Sequence, residues 1–221
     1  MFNEVISLFA ERPGFFLELT LQHLWISGIS ILFAAAIGIS LGVLISEHQR
    51  ASGAVIGVTN VIYTIPSIAL LGFLIPLSGI GDTTAIIALT IYGLLPMVRG
   101  TYTGIINIDP SITEASRGMG STDFQTLYRV KLPIAAPVIL SSLKNMVVMT
   151  IALAGIASFI GAGGLGVAIY RGITTNNPAM IIAGSILIAG LALILDFTIN
   201  RIEKYIVKKR RLSPSNEKGV F

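Results

Sequence analysis

The chain has 221 residues, of which 53% are hydrophobic and 12% are charged, and its formal net charge is +4. Ordinary soluble domains carry about a quarter charged residues, so this chain is poorer in charge than a soluble domain. Its mean hydropathy of +0.83 implies more apolar surface than a water-soluble fold of this size could bury. No cysteine is present, which excludes disulfides, thiol nucleophiles and cysteine metal sites. We therefore expect a single all-α integral membrane domain.

The basic excess does not indicate nucleic acid, because much of it lies in one run near the C-terminus. Cytoplasmic flanks of membrane helices collect Lys and Arg, and anionic lipid headgroups attract them. The run consists of Lys204, Lys208, Lys209, Arg210 and Arg211. We expect residues 206–221 to form a basic cytoplasmic tail in contact with membrane lipids.

The N-terminal segment, residues 1–19, has neither a basic n-region nor a small-residue cleavage site, so a removable signal peptide is not expected. Residues 3–19 favour an amphipathic interfacial helix outside the membrane, which Pro13 and Gly14 would interrupt. His23 and His48 stand alone, without a carboxylate at metal-ligand spacing, and we expect both at the membrane interface. No metal or other cofactor is predicted.

A membrane domain is predicted over residues 20–205, because five apolar stretches reach the roughly 20 residues needed to cross a bilayer. Lys and Arg concentrate in alternate connections, which predicts an N-terminus outside and a C-terminus in the cytoplasm of a multi-pass inner-membrane protein. Small residues such as Gly38 and Gly42 favour close helix packing. The five stretches are 20–46, 54–77, 84–106, 134–160 and 178–200.

Prolines in these stretches predict bends. Pro66, Pro96 and Pro137 each remove a backbone donor, and the bends serve either a pathway that opens or simple packing irregularity. Tyr63 and Tyr92 fit either an interfacial aromatic belt or the lining of a pathway.

Three ionisable residues near the predicted cytoplasmic ends are candidate functional residues: Arg99, Lys144 and Asp196. Snorkelling accounts for the two cations. A sharper hypothesis is that Asp196 pairs with Lys144 or Arg99 across helices and changes partner if a pathway between the helices opens.

Between the third and fourth stretches, residues 109–133 are too polar to cross a membrane and too patterned for a slack linker. Pro110 is suited to open a helix, with Glu114 in its first turns, and Gly118 and Gly120 interrupt the pattern. Ser121 or Thr122 then caps a second short helix that closes at Leu132 and Pro133. We expect two short cytoplasmic helices packed under the bundle.

The spacing within this loop resembles the EAA signature of the permease subunits of ATP-binding-cassette importers, E-A-A-x3-G-x9-I-x-L-P. The matching residues are Glu114, Ala115, Ser116, Gly120, Val130, Leu132 and Pro133, with Ser116 in place of the second Ala and Val130 in place of Ile. The resemblance implies a type I importer permease fold of about five transmembrane helices, with a coupling helix that docks on the ATP-binding subunit. Without that spacing, Glu114 would be read as a solvated carboxylate and Gly120 as a helix C-cap.

Residues 158–166, 63–67 and 96–102 resemble the permeases of osmoprotectant importers, and the likeness runs over roughly residues 20–205. It implies transport of glycine betaine, carnitine or choline. It also implies an ATP-binding subunit dimer, a second permease subunit, identical or paralogous, and an extracellular substrate-binding lipoprotein. Permeases for methionine or sulfonates share the EAA loop and are the nearest alternative.

Other functional classes fit less well. Gly161, Gly163 and Gly166 satisfy G-x-G-x-x-G, but an apolar span precedes them and no acidic residue follows about 20 positions later, so we expect a tight extracytoplasmic turn. No G-x-x-x-x-G-K-[ST] is present, which places any ATPase on another chain. A secondary transporter would show repeats and mid-membrane charges, and an enzyme would gather a nucleophile and base; neither pattern is present.

Overall fold

The computed structural model describes residues 2–211, with side chains for residues 2–204. The predicted basic tail, residues 206–221, lies outside the described side chains, and residues 212–221 lie outside the described residues altogether. The described chain is helical almost throughout. The α-helices are α1 Phe2–Glu11, α2 Pro13–Glu47, α3 Gln49–Thr64, α4 Ser67–Ser78, α5 Asp82–Ile106, α6 Pro110–Gly118, α7 Asp123–Thr126, α8 Leu132–Ala154, α9 Gly166–Thr174 and α10 Pro178–Arg211.

Four helical stretches of the described chain are long and apolar enough to span a membrane: α2, α5, Asp123–Ala154 and α10. A fifth span exists if α3 and α4 count as one, although they meet at 101°. The all-α fold with four to five spans is confirmed. The stretch 54–77 is divided between α3 and α4, and the bend predicted at Pro66 is a complete break of the helix. Pro96 and Pro137 lie inside α5 and α8.

The N-terminal boundary also differs from the prediction. Residues 13–19 are not a separate segment but the first turns of α2, and the chain breaks only at Arg12. Pro13 occupies the first turn, where its missing N–H costs no hydrogen bond. Helix α1 packs back on α10, and its Val5 belongs to the same buried cluster as Met180.

The centre of the bundle is the pair α2 and α5, with α8 against α5 and α10 against α8. Small residues permit the close approach that the sequence predicted. A Cβ on Gly42 would stand 2.5 Å from the Cβ of Thr101, and Ala34 is fully buried. Because apolar helices gain little from lipid exclusion, such close packing is what holds them together.

The connections sort to two ends of the bundle. At one end, the turn end, the Gly81 N–H donates to the Ile160 carbonyl at 3.0 Å, which joins the two connections that the sequence places on one side. At the other, the loop end, Lys131 pairs with Glu47 at 2.8 Å and joins residues 109–133 to the end of α2.

Candidate functional site

The loop of residues 109–133 begins with a capped helix. The side chain of Asp109 accepts a hydrogen bond from the Ser111 N–H at 2.9 Å, and Pro110 follows in the first turn of α6. Hydrogen bonds from the side chain and backbone of Ser111 lower the pKa of Asp109. The anion at this helix N-terminus is therefore Asp109. Glu114 lies in the second turn of α6 and so within the first turns, where the sequence predicted it, while the first turn itself holds no acidic residue.

Helix α6 ends in a Schellman turn centred on Gly120. The Ser121 N–H donates to the Ser116 carbonyl at 3.2 Å, and the Gly120 N–H donates to the Arg117 carbonyl at 2.9 Å. Gly120 has φ +87°, a conformation that residues with a Cβ seldom adopt. The glycine of the loop pattern is thus required by the backbone.

The second half of the loop does not close where predicted. Thr122 forms a capping box with Gln125 and starts α7, as the sequence indicated. The helix then passes through a π-helical turn, Leu127–Lys131, into α8 without a break. Pro133 lies in the first turn of α8, and the Leu132 N–H donates to the Leu127 carbonyl five residues back, so the widened turn carries the chain past the proline.

Long-range contacts hold the two halves of the loop together. Ser116 is only 2% exposed, and its Oγ lies 3.1 Å from Oγ1 of the buried Thr126. Arg117 pairs with Asp123 at 2.8 Å on the surface. The serine that departs from the EAA pattern therefore joins α6 to α7.

The loop presents an exposed apolar face, which we name the loop patch: Met119, Phe124 and Tyr128. Their exposed fractions are 81%, 73% and 66%. The rings of Phe124 and Tyr128 stack in parallel with centroids 6.3 Å apart. Exposed groups this apolar, on a polar loop, are typical of a protein contact.

The residues of the EAA pattern divide into exposed and packed sets. Glu114, Ala115 and Gly120 are exposed, whereas Val130, Leu132 and Pro133 are partly buried where the π-helical turn meets α8. Glu114 also lines a cleft of about 230 Å³ between the loop and the helix ends, with Gln49 and Lys131. The pattern thus combines a surface with the element that joins it to a span.

The backbone N–H groups of the glycine-rich turn, at the turn end, are hydrogen-bonded to side chains of the same chain. Gly161 and Gly164 have φ +77° and +95°, as a tight turn requires. The Gly163 N–H donates to Asp82 Oδ1 at 2.8 Å, and the Gly164 N–H donates to Gln22 Oε1 at 3.2 Å. These donors are already paired, which agrees with the interpretation of G-x-G-x-x-G as a turn.

His23 lies in the bundle core beside this turn, and the expectation of an interfacial histidine is wrong. It is 1% exposed. Its Nδ1 accepts from the Leu165 N–H at 3.3 Å, and its Nε2 lies 3.0 Å from the Ile151 carbonyl oxygen. Within the described residues no group of three His, Asp or Glu side chains is placed to hold a metal ion.

Tyr63, Pro66 and Tyr92 come together at the break between α3 and α4. The two tyrosine rings meet edge to face with centroids 5.9 Å apart. The Tyr92 hydroxyl donates to the Ile65 carbonyl at the break. The Tyr63 hydroxyl donates to the Met149 sulfur at 3.3 Å.

Lys144 and Asp196 form the ion pair that the sequence raised as a hypothesis. Lys144 Nζ lies 3.3 Å from Asp196 Oδ1 and donates to Asn200 Oδ1 at 3.0 Å, which joins α8 to α10. Among the described side chains, Arg99 is exposed and is not brought to Asp196. The exchange of partners stays a prediction.

Comparison with known proteins places this geometry in context. A family model described as "binding-protein-dependent transport system inner membrane component" matches residues 14–212. The glycine betaine/carnitine/choline transport system permease protein OpuCD of Bacillus subtilis (strain 168) is 43% identical over 96% of this chain and 91% of the relative. The osmoprotectant import permease protein OsmW of Salmonella typhimurium is 40% identical over 93% of this chain and 98% of the relative. In a solved structure, the inward-facing MetNI methionine ABC transporter, the matching chain has a TM-score of 0.80 at 25% identity, covering 86% of this chain and 95% of that one.

Proposed function

The chain belongs to the family of binding-protein-dependent transport system inner membrane components, and we propose that it is the permease of an ATP-driven importer of a quaternary ammonium osmoprotectant. The observation that carries the proposal is its likeness, over nearly its whole length, to permeases named for glycine betaine, carnitine and choline transport. The substrate is glycine betaine, carnitine or choline, and the chain forms its path across the membrane.

The loop of residues 109–133 couples this path to ATP hydrolysis on another chain. The loop patch is the anchor for an ATP-binding subunit, because it offers two aromatic rings and a methionine to a partner groove. The continuous helix from Asp123 to Ala154 supports this role, since a push on the patch is transmitted along rigid backbone into a span. The exposed Glu114 contributes a charged border to the same surface, with the exposed Ala115 beside it.

The complete importer contains further chains. Two ATP-binding subunits provide the hydrolysis, a second permease subunit, identical or paralogous, closes the path, and a substrate-binding lipoprotein delivers the osmolyte outside the cell. In the inner membrane the loop end faces the cytoplasm and the N-terminus lies outside. Single cysteines at Asp82 and Ser121 test this orientation, because an impermeant thiol reagent added outside should label only the first, and labelling of both would overturn it.

The substrate is tested with the assembled importer in proteoliposomes. We expect ATP-dependent uptake of labelled glycine betaine, carnitine or choline, and none when the substrate-binding lipoprotein is omitted. Vesicles lacking ATP provide the control for binding without transport. Uptake of methionine or a sulfonate alone would overturn the proposal.

A methionine importer is the second candidate function. The specific observation in its favour is the fold shared with the methionine transporter structure. It ranks second because the relatives named for osmoprotectants share more of the sequence. The uptake experiment above distinguishes the two substrates directly.

A further inference from the structure

The length of α3 puts the break between α3 and α4 at membrane depth when α3 enters the bilayer from the loop end. Helix α3 has 16 residues, so at a rise of about 1.5 Å per residue it carries the chain up to about 24 Å from the loop end. The apolar layer of a bilayer is about 30 Å thick. Ile65 is extended at φ −67°, ψ 126°, and Pro66 has no N–H, so helical hydrogen bonding stops within that layer.

Such a break does not face lipid. Non-helical backbone at membrane depth is tolerated only where protein covers it or where it lines a water-filled cavity. In this chain Tyr63, Thr64 and Pro66 are exposed at the break. This face is therefore turned toward the interior of the assembled importer.

Tyr63 presents an aromatic surface on this face. It is 42% exposed, whereas Tyr92 is 6% exposed and packs edge to face against it. Both hydroxyls are hydrogen-bonded within the protein, to the Met149 sulfur and the Ile65 carbonyl. A belt tyrosine would instead direct its hydroxyl to the headgroup water, so Tyr63 is held as a fixed ring and not as a membrane anchor.

The C-terminal end of α3 favours a cation, whereas the positive end of the α4 dipole, which begins at Ser67, lies at the other side of the break. The last carbonyl groups of α3 and the negative end of its dipole lie beside the exposed ring. The face of a tyrosine ring adds further negative potential, which attracts quaternary ammonium groups because they are weakly hydrated. Discontinuous helices in other transporters use half-helix C-terminal ends and unwound carbonyls toward cations in the same way.

We propose that Tyr63, supported by Tyr92 and the unwound backbone at Thr64–Pro66, forms a transient cation–π site for the quaternary ammonium group inside the translocation path. The proposal rests on the proposed function and adds a position within the permease for its substrate. A single exposed ring binds weakly, which suits a site that the substrate must also leave.

The test varies the ring without changing its shape. Tyr63→Phe keeps the ring and is the parent of a series with one, two and three ring fluorines, each of which weakens the negative face. In proteoliposomes with saturating ATP, we expect Tyr63→Phe to retain choline uptake within about two-fold, and uptake to fall stepwise with each fluorine. Tyr63→Leu should lower uptake between about two-fold and thirty-fold, the range that cation–π energies convert to.

Tyr170 offers a matched control. It is 41% exposed and also meets a second ring edge to face, that of Phe159 at 5.2 Å, but it lies in α9 and away from the break. Tyr170→Leu and the same fluorinated series at position 170 should leave choline uptake at the wild-type rate. Substrate affinity of the isolated binding lipoprotein is measured beside both series and should not change.

Two results would overturn the site in distinguishable ways. If the wild-type complex carries choline and uptake is the same throughout the fluorinated series, Tyr63 is not a cation–π residue. Loss of assembled permease pairs in Tyr63→Leu would then indicate that the ring contacts the second permease subunit. A wild-type complex that carries only methionine overturns the proposed function, and the cation site with it.

Discussion

Replacement of Gly120 provides a sharp test of the loop, because its effect depends on the backbone alone. The residue has φ +87°, and a Cβ built there meets no atom within 4 Å. Any cost of a side chain therefore comes from the left-handed conformation and not from a clash. Gly118 is the matched control, since a Cβ there also meets nothing within 4 Å, and its backbone is helical.

The magnitude follows from the conformation. A left-handed conformation costs an L-residue about 1–2 kcal/mol, and asparagine tolerates it better than other residues. We expect Gly120→Ala to destabilise the turn by about 1 kcal/mol, a roughly five-fold change in population. Gly120→Asn should cost less, and Gly120→Val should cost more because it is β-branched. Gly118→Ala should be neutral or slightly stabilising, since alanine suits a helix better than glycine.

The assay separates the loop from the bundle. Each variant is quantified in the membrane, where we expect near-normal amounts because the spans pack without residue 120. Protease cleavage of residues 110–126 reports turn stability, and co-purification of the ATP-binding subunit with substrate-stimulated ATP hydrolysis reports coupling. Resistance to the protease, co-purification of the ATP-binding subunit and substrate-stimulated hydrolysis should each decrease in the order glycine, asparagine, alanine and valine.

A different ranking would refute the reasoning. If Gly120→Val retained full uptake and bound the ATP-binding subunit normally, the Schellman turn would not be part of the coupling element. If Gly118→Ala impaired coupling as much as Gly120→Ala, the effect would reflect contact with the partner and not the left-handed backbone.

Three further predictions concern polar pairs. Ser116→Ala should lower the free energy of unfolding of the solubilised permease by about 1–2 kcal/mol, because it leaves the buried Thr126 hydroxyl without its hydrogen-bond partner. In a double-mutant cycle, adding Thr126→Val should recover most of this loss. Asp196→Asn should weaken the contact between α8 and α10, and a cycle with Lys144→Gln on uptake should show coupling; coupling near zero would remove both the pair and its exchange of partners as functional features. Because the folded pKa of Asp109 is lowered, its stabilisation of α6 is complete above the unfolded pKa of about 4 and is lost as pH falls through the folded pKa. An acid-active protease should then cleave the loop readily only at strongly acid pH, and Asp109→Asn should remove that dependence.

The sequence by itself determined the class of the protein and the local structure of the loop. Hydropathy over some 20 residues identifies spans because a helix that crosses the bilayer core must be predominantly apolar over that length. Pro110 and Gly120 determined where α6 begins and ends, and Thr122 where α7 begins, because proline, a left-handed glycine and a capping hydroxyl act on their own neighbours in the chain. The EAA spacing identified the family for the same reason, since it is a short-range pattern.

Only the tertiary structure decided the contacts between distant parts of the chain. Lys131 meets Glu47 84 residues away, and the Leu165 N–H meets His23 142 residues away. Nothing in the local pattern of either residue specifies such a partner, because helix packing and rotation about each axis bring them together. The continuation of α7 through a π-helical turn into α8 was missed for a related reason. Leu132 and Pro133 predict the end of a helix locally, and only the packing against the bundle shows that the helix continues through them.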